Sequence, residues 1–216
     1  MDRTLSTYLV TQADRSIGRG TVDIVREAIA GGVDAVQLRE KHTQAIDRYE
    51  TGQKLRELTS EADVPLIVND RVDLAVALDA DGVHLGDDDL PIDVARRQLG
   101  ADAVVGRSVS TPDAARAAAA AGADYLGVGA VFATGTKDTR ESESEIGVDT
   151  VAAVADAVSI PIVAIGGITT ENASSVAAAG ADGVAAVTAI TEADDPAAAT
   201  RALRAAVESG REAPSK

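Results

Sequence analysis

The chain has 216 residues, which suffice for one domain with a sizeable core, and its 45% apolar fraction is close to a globular average. Its 35 acidic residues outnumber 20 lysines and arginines, and the resulting net charge of −15 argues against nucleic acid or an anionic membrane surface as a partner. The absence of cysteine excludes disulfides, thiolate catalysis and cysteine-based metal sites.

Short β-rich runs alternate with alanine-rich helical stretches along the chain. Strands are predicted at 7–10, 35–38, 66–69, 82–85, 103–106, 125–129, 162–165 and 183–187. Helices are predicted between and after them, at 21–30, 44–60, 71–79, 91–99, 112–121, 148–157, 170–179 and 196–208. Eight strands, each followed by a helix, predict a (β/α)8 TIM barrel over residues 1–208, with a disordered tail at 209–216. A doubly wound open sheet is the alternative, but no GxGxxG motif follows the first strand.

A short phrase recurs before four of the predicted strands. It reads GGVDAV at 31–36, DADGVHL at 79–85, AGADYLGV at 121–128 and AGADGVAAV at 179–187. The pattern predicts a glycine at the end of a helix, a tight turn and a buried parallel strand.

The charge pattern also bears on the source and location of the protein. Only four of the basic residues are lysines, and an acidic, lysine-poor surface is typical of proteins that stay soluble in concentrated salt. We therefore expect a halophile, with an acidic mesophilic protein as the alternative. The N-terminus lacks a basic-then-apolar signal, and no apolar run reaches the length of a membrane span, so a cytoplasmic location is expected.

The second predicted strand ends in polar and basic residues, at the end of a barrel where catalytic groups gather. In QLREK, Gln37, Arg39 and Lys41 share one side if the extended geometry continues as far as Lys41. Such a set in an apolar barrel mouth favours an anion as its ligand. The alternative is that Arg39 and Lys41 are solvated loop charges paired with Glu40 or Asp47.

Acidic residues follow the next two strands. Strand three ends in Asn69 and Asp70, and strand four runs into the series Asp87, Asp88 and Asp89. Neighbouring strands lie about 5 Å apart, so these carboxylates can converge and favour a cation such as Mg²⁺. A solvated acidic loop is the alternative, above all for Asp87 and Asp88.

The remaining strand ends supply smaller groups. Strand five places Ser108 at the mouth, whereas His84 in strand four is predicted to pack rather than to bind a ligand. The loop GAVFATGTKDTR after strand six suits a phosphate through its hydroxyls, backbone N–H groups and one lysine, and KDTRESESE is predicted to be a mobile flap. After strands seven and eight come Gly166–Gly167, which form an anion site or only a tight turn, and Val187–Thr188. The mouth therefore offers a charged site for a pyrophosphate and a neutral site for a single phosphate.

The motifs VQLREK, VNDRVDLA, ADGVHLG, GADYLGVGAVFATGTK, IPIVAIGGI and GADGVAAVTAI occur in this order. Together they resemble the thiamine-phosphate synthase family from residue 8 to about residue 208. The resemblance implies a (β/α)8 barrel enzyme that joins a hydroxymethylpyrimidine diphosphate to a thiazole phosphate, releases pyrophosphate and needs Mg²⁺.

The resemblance also implies roles for individual residues. The pyrimidine diphosphate would be held by Gln37, Leu38, Arg39, Glu40, Lys41, Asn69, Ser108 and Lys137. Mg²⁺ would be held by Asp70 and Asp89, and the thiazole phosphate by Thr134, Gly135, Thr136, Gly167, Val187 and Thr188. The residues expected to act in catalysis are Arg39, Lys41, Ser108 and Lys137, the last as a clamp on the leaving pyrophosphate. The chain departs from the family at Asp87, where glutamine is frequent, and at Ala133, where proline is frequent.

The implied reaction is dissociative, since pyrophosphate leaves first and the thiazole nitrogen then attacks a pyrimidine-methyl cation. No general base is needed to make the nucleophile, which fits the lack of a cysteine or histidine dyad. One alternative is a thiazole tautomerase, which tends to lose the diphosphate-binding and metal residues that Lys41, Lys137, Asp70 and Asp89 represent here. Another is a non-enzymatic phosphate-sensing barrel, which would need one anion site rather than two. A homo-oligomer is compatible with either kind of enzyme.

Overall fold

Eight parallel strands form a closed barrel in the computed structural model, which describes residues 5–134 and 145–212. Each strand pairs with the next one in the chain, and the eighth pairs with the first, as in the register Tyr8 to Ala185. The strands are β1 Thr7–Val10, β2 Ala35–Leu38, β3 Leu66–Asn69, β4 Gly82–Leu85, β5 Val104–Val109, β6 Tyr125–Val128, β7 Ile162–Ile165 and β8 Gly183–Ala186. The predicted TIM barrel is confirmed.

Helices follow the strands around the outside of the barrel. They are α1 Thr21–Ala30, α2 Ala45–Glu61, α3 Val72–Ala77, α4 Ile92–Leu99, α5 Pro112–Ala120, α6 Gly147–Ala155, α7 Ala173–Ala178, α8 Thr188–Thr191 and α9 Pro196–Glu212. Two short elements were not predicted, namely α8 and the 3-10 helix Ala13–Arg15.

The last helix runs beyond the predicted boundary at residue 208. Gly210 is buried, and a Cβ atom at that position would lie 2.2 Å from the carbonyl oxygen of Ser174. The helix continues because this contact packs it against α7. The prediction of a disordered tail is therefore wrong for 209–212, and residues 213–216 lie outside the described residues.

The apolar core has two parts. The larger one lies between the strands and the helices and includes fully buried Leu9, Leu38 and Leu126 from the barrel and Leu203 from α9. The smaller one fills the barrel interior with alternate strand residues, among them Tyr8, Val10, Ile67, Tyr125 and Val163. Branched and aromatic side chains thus close the barrel below its mouth, as in other TIM barrels.

The recurring phrase gives each even-numbered strand an aspartate that binds the start of the strand before it. One carboxylate oxygen accepts backbone N–H groups at 2.7–2.9 Å. The pairs are Asp34 with Ser6 and Thr7, Asp81 with Leu66, Asp124 with Val105, and Asp182 with Ile162. Arginines pair with the first three of these aspartates, namely Arg204, Arg56 and Arg96.

The same phrase also ends the preceding helix. Two residues before each aspartate the backbone has a positive φ, at Gly32, Asp79, Gly122 and Gly180. The predicted helix-ending glycine is confirmed at three of these positions, and an aspartate adopts the same conformation at the fourth. We call the four aspartates the strand-start aspartates.

Candidate functional site

The described site residues lie at the carboxyl ends of the strands, where a TIM barrel carries its chemistry. Gly135, Thr136 and Lys137 lie outside the described residues, as does most of the predicted flap. The others lie at the end of β2 and in the loop after it, at the end of β3 with the carboxylates after β3 and β4, and in the loops after β6 to β8, while Ser108 lies in β5.

The β2 end does not continue as an extended strand to Lys41. The strand ends at Leu38, and the N–H of Lys41 donates to the carbonyl of Arg39 at 2.8 Å, which makes a tight turn. The condition under which Gln37, Arg39 and Lys41 were predicted to share one side, an extended strand as far as Lys41, is therefore not met. Gln37 lies inside the barrel, whereas the turn carries Lys41 sideways toward β3. The side chain of Leu38 is fully buried in the outer core.

Glu40 connects the β2 loop by hydrogen bonds to the segment between β1 and α1 and to the start of α1. Its carboxylate accepts the backbone N–H of Ala13 at 2.7 Å and the hydroxyl of Thr21 at 3.0 Å, and its side chain is buried. Arg39 lies on the same side, where its guanidinium donates to Gln12 Oε1 at 2.9 Å. The contacts of Glu40 hold this loop in place beside the mouth.

The carboxylates of Asp70 and Asp89 converge next to Lys41. The ammonium of Lys41 lies 2.8 Å from Asp70 Oδ2, and Asp89 Oδ2 accepts the N–H of Gly86 at 2.6 Å. Burial raises the pKa of the Asp89 carboxyl, and the neighbouring Asp70 carboxylate raises it further, whereas the Gly86 N–H and Lys41 act in the opposite direction. Two carboxylates that share a site in this way favour a cation between them.

Asp87 and Asp88 are more exposed to solvent than Asp89. The side chain of Asp87 is 88% exposed and contacts Arg107 at 3.2 Å. Asp88 is exposed and lines, together with Asp70 and Asp89, a cavity of about 440 Å³. Across residues 5–134 and 145–212 no three acidic or histidine side chains are grouped to hold a metal ion. The geometry therefore offers a pair of carboxylates rather than a cage.

A chain of hydrogen bonds crosses the barrel interior below these residues. Gln37 Nε2 donates to the Tyr8 hydroxyl at 3.0 Å, and the hydroxyls of Tyr8 and Tyr125 are 2.9 Å apart. His84 Nδ1 lies 2.9 Å from the Tyr125 hydroxyl, and its Nε2 lies 2.9 Å from Ser108 Oγ. We call these five residues the interior chain.

Sequence reasoning missed the two tyrosines and the polar contacts of His84. His84 is buried in its strand, as predicted, but both of its ring nitrogens make hydrogen bonds. A signal was present, since the chain has only three tyrosines and two of them, Tyr8 and Tyr125, stand in predicted strands of a nearly aromatic-free sequence. Burial raises the pKa of Tyr8 to about 12 and raises the pKa of Tyr125 well above its usual range, so both phenols keep their protons.

The loops after β6 and β7 pair with each other at the opposite side of the mouth. Val131 and Phe132 donate backbone hydrogen bonds to Ile165 and Gly166 at 2.9 and 3.0 Å. Gly167 has a φ of 62°, and a Cβ there would lie 2.5 Å from the carbonyl oxygen of Ala133. The close approach requires glycine and brings the segment before Thr134 against the β7 loop.

The neighbouring strand β8 leads into the unpredicted helix α8. Val187 precedes this helix, and Thr188 is its first residue. The first N–H groups of a helix have no partner within it, and a short extra helix after strand eight is a frequent part of phosphate sites in TIM barrels. Gly167, Val187 and Thr188 thus follow adjacent strands at one side of the mouth.

Comparison with known proteins identifies the family. A model of the thiamine monophosphate synthase family matches residues 7–190. The chain belongs to this family. It is 68% identical over 205 residues to the thiamine-phosphate synthase of Haloarcula marismortui, with 94% of this chain and 97% of that protein covered. It is 63% identical over 208 residues to that of Natronomonas pharaonis, with 96% and 97% covered. Both relatives come from halophilic archaea, which supports the predicted halophilic source.

A solved structure agrees with the same assignment. The thiamine phosphate pyrophosphorylase of Pyrococcus furiosus superposes with a TM-score of 0.87 at 40% identity, and the match covers 96% of this chain and 98% of that one. Within the described part of the chain, no helix combines the length and apolar character needed to cross a bilayer.

Proposed function

We propose that the protein is a thiamine-phosphate synthase that couples an aminopyrimidine diphosphate to a thiazole phosphate, with release of pyrophosphate. The observation that carries the proposal is the meeting of Lys41, Asp70 and Asp89 at the barrel mouth, in a chain of this family. A diphosphate needs positive charge around it, and these groups supply a lysine together with a carboxylate pair suited to a metal ion.

Mg²⁺ fits the carboxylate pair. This ion favours oxygen ligands, and it usually takes one or two carboxylates together with waters and substrate phosphates. We infer that Asp70 and Asp89 would hold it, with Lys41 partly neutralising Asp70 beforehand. When bound, the ion would neutralise charge on the diphosphate. The exposure of Asp87 and Asp88 is consistent with roles outside its direct ligands.

The charged side of the mouth is proposed to bind the diphosphate. Arg39 and Lys41 would hold its oxygens, and Lys137, which lies outside the described residues, would act as a further cation on the leaving pyrophosphate. The pyrimidine ring would lie between Gln37, Asn69 and Ser108, whose side chains are at the carboxyl ends of β2, β3 and β5. Leu38 and Glu40, which are both buried, hold the end of β2 in place beside this wall.

The opposite side is proposed to bind the thiazole phosphate. Thr134, Gly167, Val187 and Thr188 offer hydroxyl and backbone N–H groups without net charge. Gly135 and Thr136 would complete the site from outside the described residues. A neutral site of this kind suits a phosphate monoester that must be positioned rather than cleaved.

Catalysis then consists of positioning and of stabilising charge on the leaving group. The bond between the pyrimidine methylene and the diphosphate oxygen breaks, and the pyrophosphate keeps the bonding electron pair. The thiazole nitrogen uses its lone pair to form the new C–N bond. Since that nitrogen carries no proton to be removed, the chain needs no general base for this step.

Product analysis tests the proposal. The protein is mixed with both substrates and Mg²⁺, and the products are followed by mass spectrometry, with each substrate omitted in turn as a control. We expect thiamine phosphate and pyrophosphate only when both substrates are present. Isomerisation of the thiazole phosphate alone, which leaves its mass unchanged and is therefore followed by NMR, would instead identify a tautomerase, and binding of one phosphate without turnover would identify a sensor.

A further inference from the structure

We propose that the hydrogen bonds of the interior chain all run in one direction, from Gln37 to Ser108. Tyr8, Tyr125 and His84 are thereby positioning residues, because they determine which donor and acceptor groups Gln37 and Ser108 present to the pyrimidine. The inference rests on the proposed function, because it concerns the pyrimidine held between Gln37 and Ser108. Both ends of the chain are predicted substrate residues, whereas its three inner members are not.

Two strand glycines make room for the interior chain. A Cβ at Gly106 would lie 2.2 Å from Cζ of Tyr125, and a Cβ at Gly127 would lie 2.8 Å from Cε1 of His84. Glycine weakens the interior of a strand. Its presence in β5 and β6 next to these rings therefore indicates that the space for the rings is a specific feature of the barrel. The ring of Tyr125 lies 5.9 Å from that of Tyr8 and 5.5 Å from that of His84, centre to centre.

The direction of the chain follows from its first member. An amide nitrogen can only donate, so the Tyr8 hydroxyl accepts from Gln37 Nε2. Each phenol has one proton, and Tyr125 is the other partner of the Tyr8 hydroxyl among the described residues, so a buried Tyr8 proton is satisfied only if Tyr8 donates to Tyr125; we infer that Tyr125 in turn donates to His84 Nδ1. A neutral imidazole whose Nδ1 accepts carries its proton on Nε2. That N–H donates to Ser108 Oγ at 2.9 Å.

This direction decides what the two ends offer to a substrate. Ser108 accepts from His84, so its own proton is directed to another acceptor. Gln37 uses an amide N–H on Tyr8, so its carbonyl oxygen remains as an acceptor. One end therefore donates and the other accepts.

The 4-aminopyrimidine has the matching pattern, with an amino group that donates and a ring nitrogen that accepts. A 4-oxo pyrimidine has the opposite pattern, with an oxygen that accepts and a ring N–H that donates. We infer that the interior chain selects the amino form, because the oxo form would leave polar groups without partners in a buried site.

Nitrogen NMR tests the direction without any substrate. The chain has only two histidines, His42 and His84, so a long-range ¹H–¹⁵N spectrum of the full-length protein is readily assigned with a His42→Asn variant. We expect the Nε2–H form of His84 in the wild type and in Tyr8→Phe, where Tyr125 still donates to Nδ1. In Tyr125→Phe, where that donor is lost, we expect a mixture of tautomers. An Nδ1–H form in the wild type would overturn the proposal.

Kinetics test the positioning role. We expect Tyr125→Phe to raise KM for the pyrimidine diphosphate about tenfold, the cost of one misaligned hydrogen bond, and to leave KM for the thiazole phosphate unchanged. Tyr49→Phe is the matched control, because Tyr49 lies outside the chain and its hydroxyl accepts from the exposed Gln53. Equal kinetics in the two variants would contradict a positioning role.

Competition by the 4-oxo analogue tests selection. The wild type should bind this analogue about a hundredfold more weakly than the amino compound, and Tyr125→Phe should narrow that ratio. An unchanged ratio would contradict the inference.

If the wild type forms no thiamine phosphate, the proposed function fails, whereas the NMR result on His84 still decides the direction of the hydrogen bonds. A thermal melt of each variant shows whether it is folded. If Tyr125→Phe does not fold, the spectra of the wild type and of Tyr8→Phe still test the direction of the hydrogen bonds.

Discussion

At the scale of single residues, the DDD run after β4 divides into different environments. Asp89 is half-buried beside Asp70, whereas Asp87 and Asp88 are exposed. We expect Asp70→Ala and Asp89→Ala to raise the Mg²⁺ concentration for half-maximal activity at least about tenfold, because each removes one of the two proposed direct ligands. Asp87→Ala and Asp88→Ala should stay close to the wild type. Magnesium titrations of activity for all four variants measure this.

The metal assignment fails if the four variants do not separate in this way. An Asp88→Ala variant as impaired as Asp70→Ala would place Asp88 among the ligands. Affinity for the thiazole phosphate, measured by calorimetry, should be unchanged in all four variants, because that site lies across the mouth.

The same carboxylate should reduce the stability of the metal-free protein. The pKa of Asp89 is raised in the folded state, so its ionised form is held less favourably there than in the unfolded chain. This cost is present at a pH above the folded-state pKa and disappears as the pH falls through it. We therefore expect Asp89→Asn to melt above the wild type at neutral pH without Mg²⁺, with a difference that shrinks in acid. Asp88→Asn is the control and should show no such gain.

Lys137 is the residue for which the charge argument predicts the largest kinetic effect. Loss of a cation on the departing pyrophosphate should cost roughly 2–4 kcal/mol of transition-state stabilisation. We expect Lys137→Ala to lose most of its single-turnover rate and to keep its fold. Lys54→Ala, which removes an exposed lysine from α2, is the matched control. Near-normal single-turnover rates for Lys137→Ala would contradict the assignment.

At the scale of elements, the strand-start aspartates explain why the recurring phrase is needed. Asp124 accepts the N–H of Val105 at 2.7 Å. It also forms a salt bridge with Arg96, in which the two side chains are only 31% and 27% exposed. We expect Asp124→Ala to lower the free energy of unfolding by about 1–3 kcal/mol, because a backbone N–H of the barrel loses its partner. Urea denaturation measures the change. Asp113→Ala, which removes a salt bridge with a 97% exposed carboxylate, should cost well below that. Equal losses in the two variants would show that the backbone contact adds nothing.

Most of the barrel could be predicted from sequence because its strands are short apolar runs between recognisable turns. Five strands have the predicted bounds, as in Leu66–Asn69 and Ile162–Ile165. The helix α8 could not be predicted, since four residues are too few to show a helical period. The turn that redirects Lys41 is set by the packing of Glu40 against another part of the chain, which is a tertiary effect.

The kinds of residues in the site could be predicted from the sequence better than the contacts between their side chains. The carboxylates of Asp70 and Asp89 converge because neighbouring parallel strands end side by side, and that rule can be applied to a sequence. The interior chain could not be found in this way. Tyr8 and Tyr125 are 117 residues apart, and His84 and Tyr125 are 41 apart, and no local pattern records which inward side chains meet across a barrel.

At the scale of the whole molecule, the net charge of −15 opposes the compact state. Many described ion pairs, such as Arg97 with Asp93 and Arg116 with Asp113, lie at the surface and contribute little each. The repulsion among the unpaired carboxylates is spread over the surface, where mobile ions can screen it. The Debye length falls from about 10 Å at 0.1 M salt to about 3 Å at 1 M.

We therefore expect stability and activity to require molar salt. The melting temperature should rise steeply from dilute buffer to 1 M KCl and then level off toward about 2 M, because screening is nearly complete when the Debye length is about 3 Å. Sucrose is the control, since it favours burial by exclusion from the surface without screening charge, and it should give a smaller gain at equal osmolality. Chelator in every sample removes any contribution from metal binding at Asp70 and Asp89. A melting temperature that does not change between dilute buffer and 2 M KCl would contradict this account, because net repulsion of this size must weaken when it is screened.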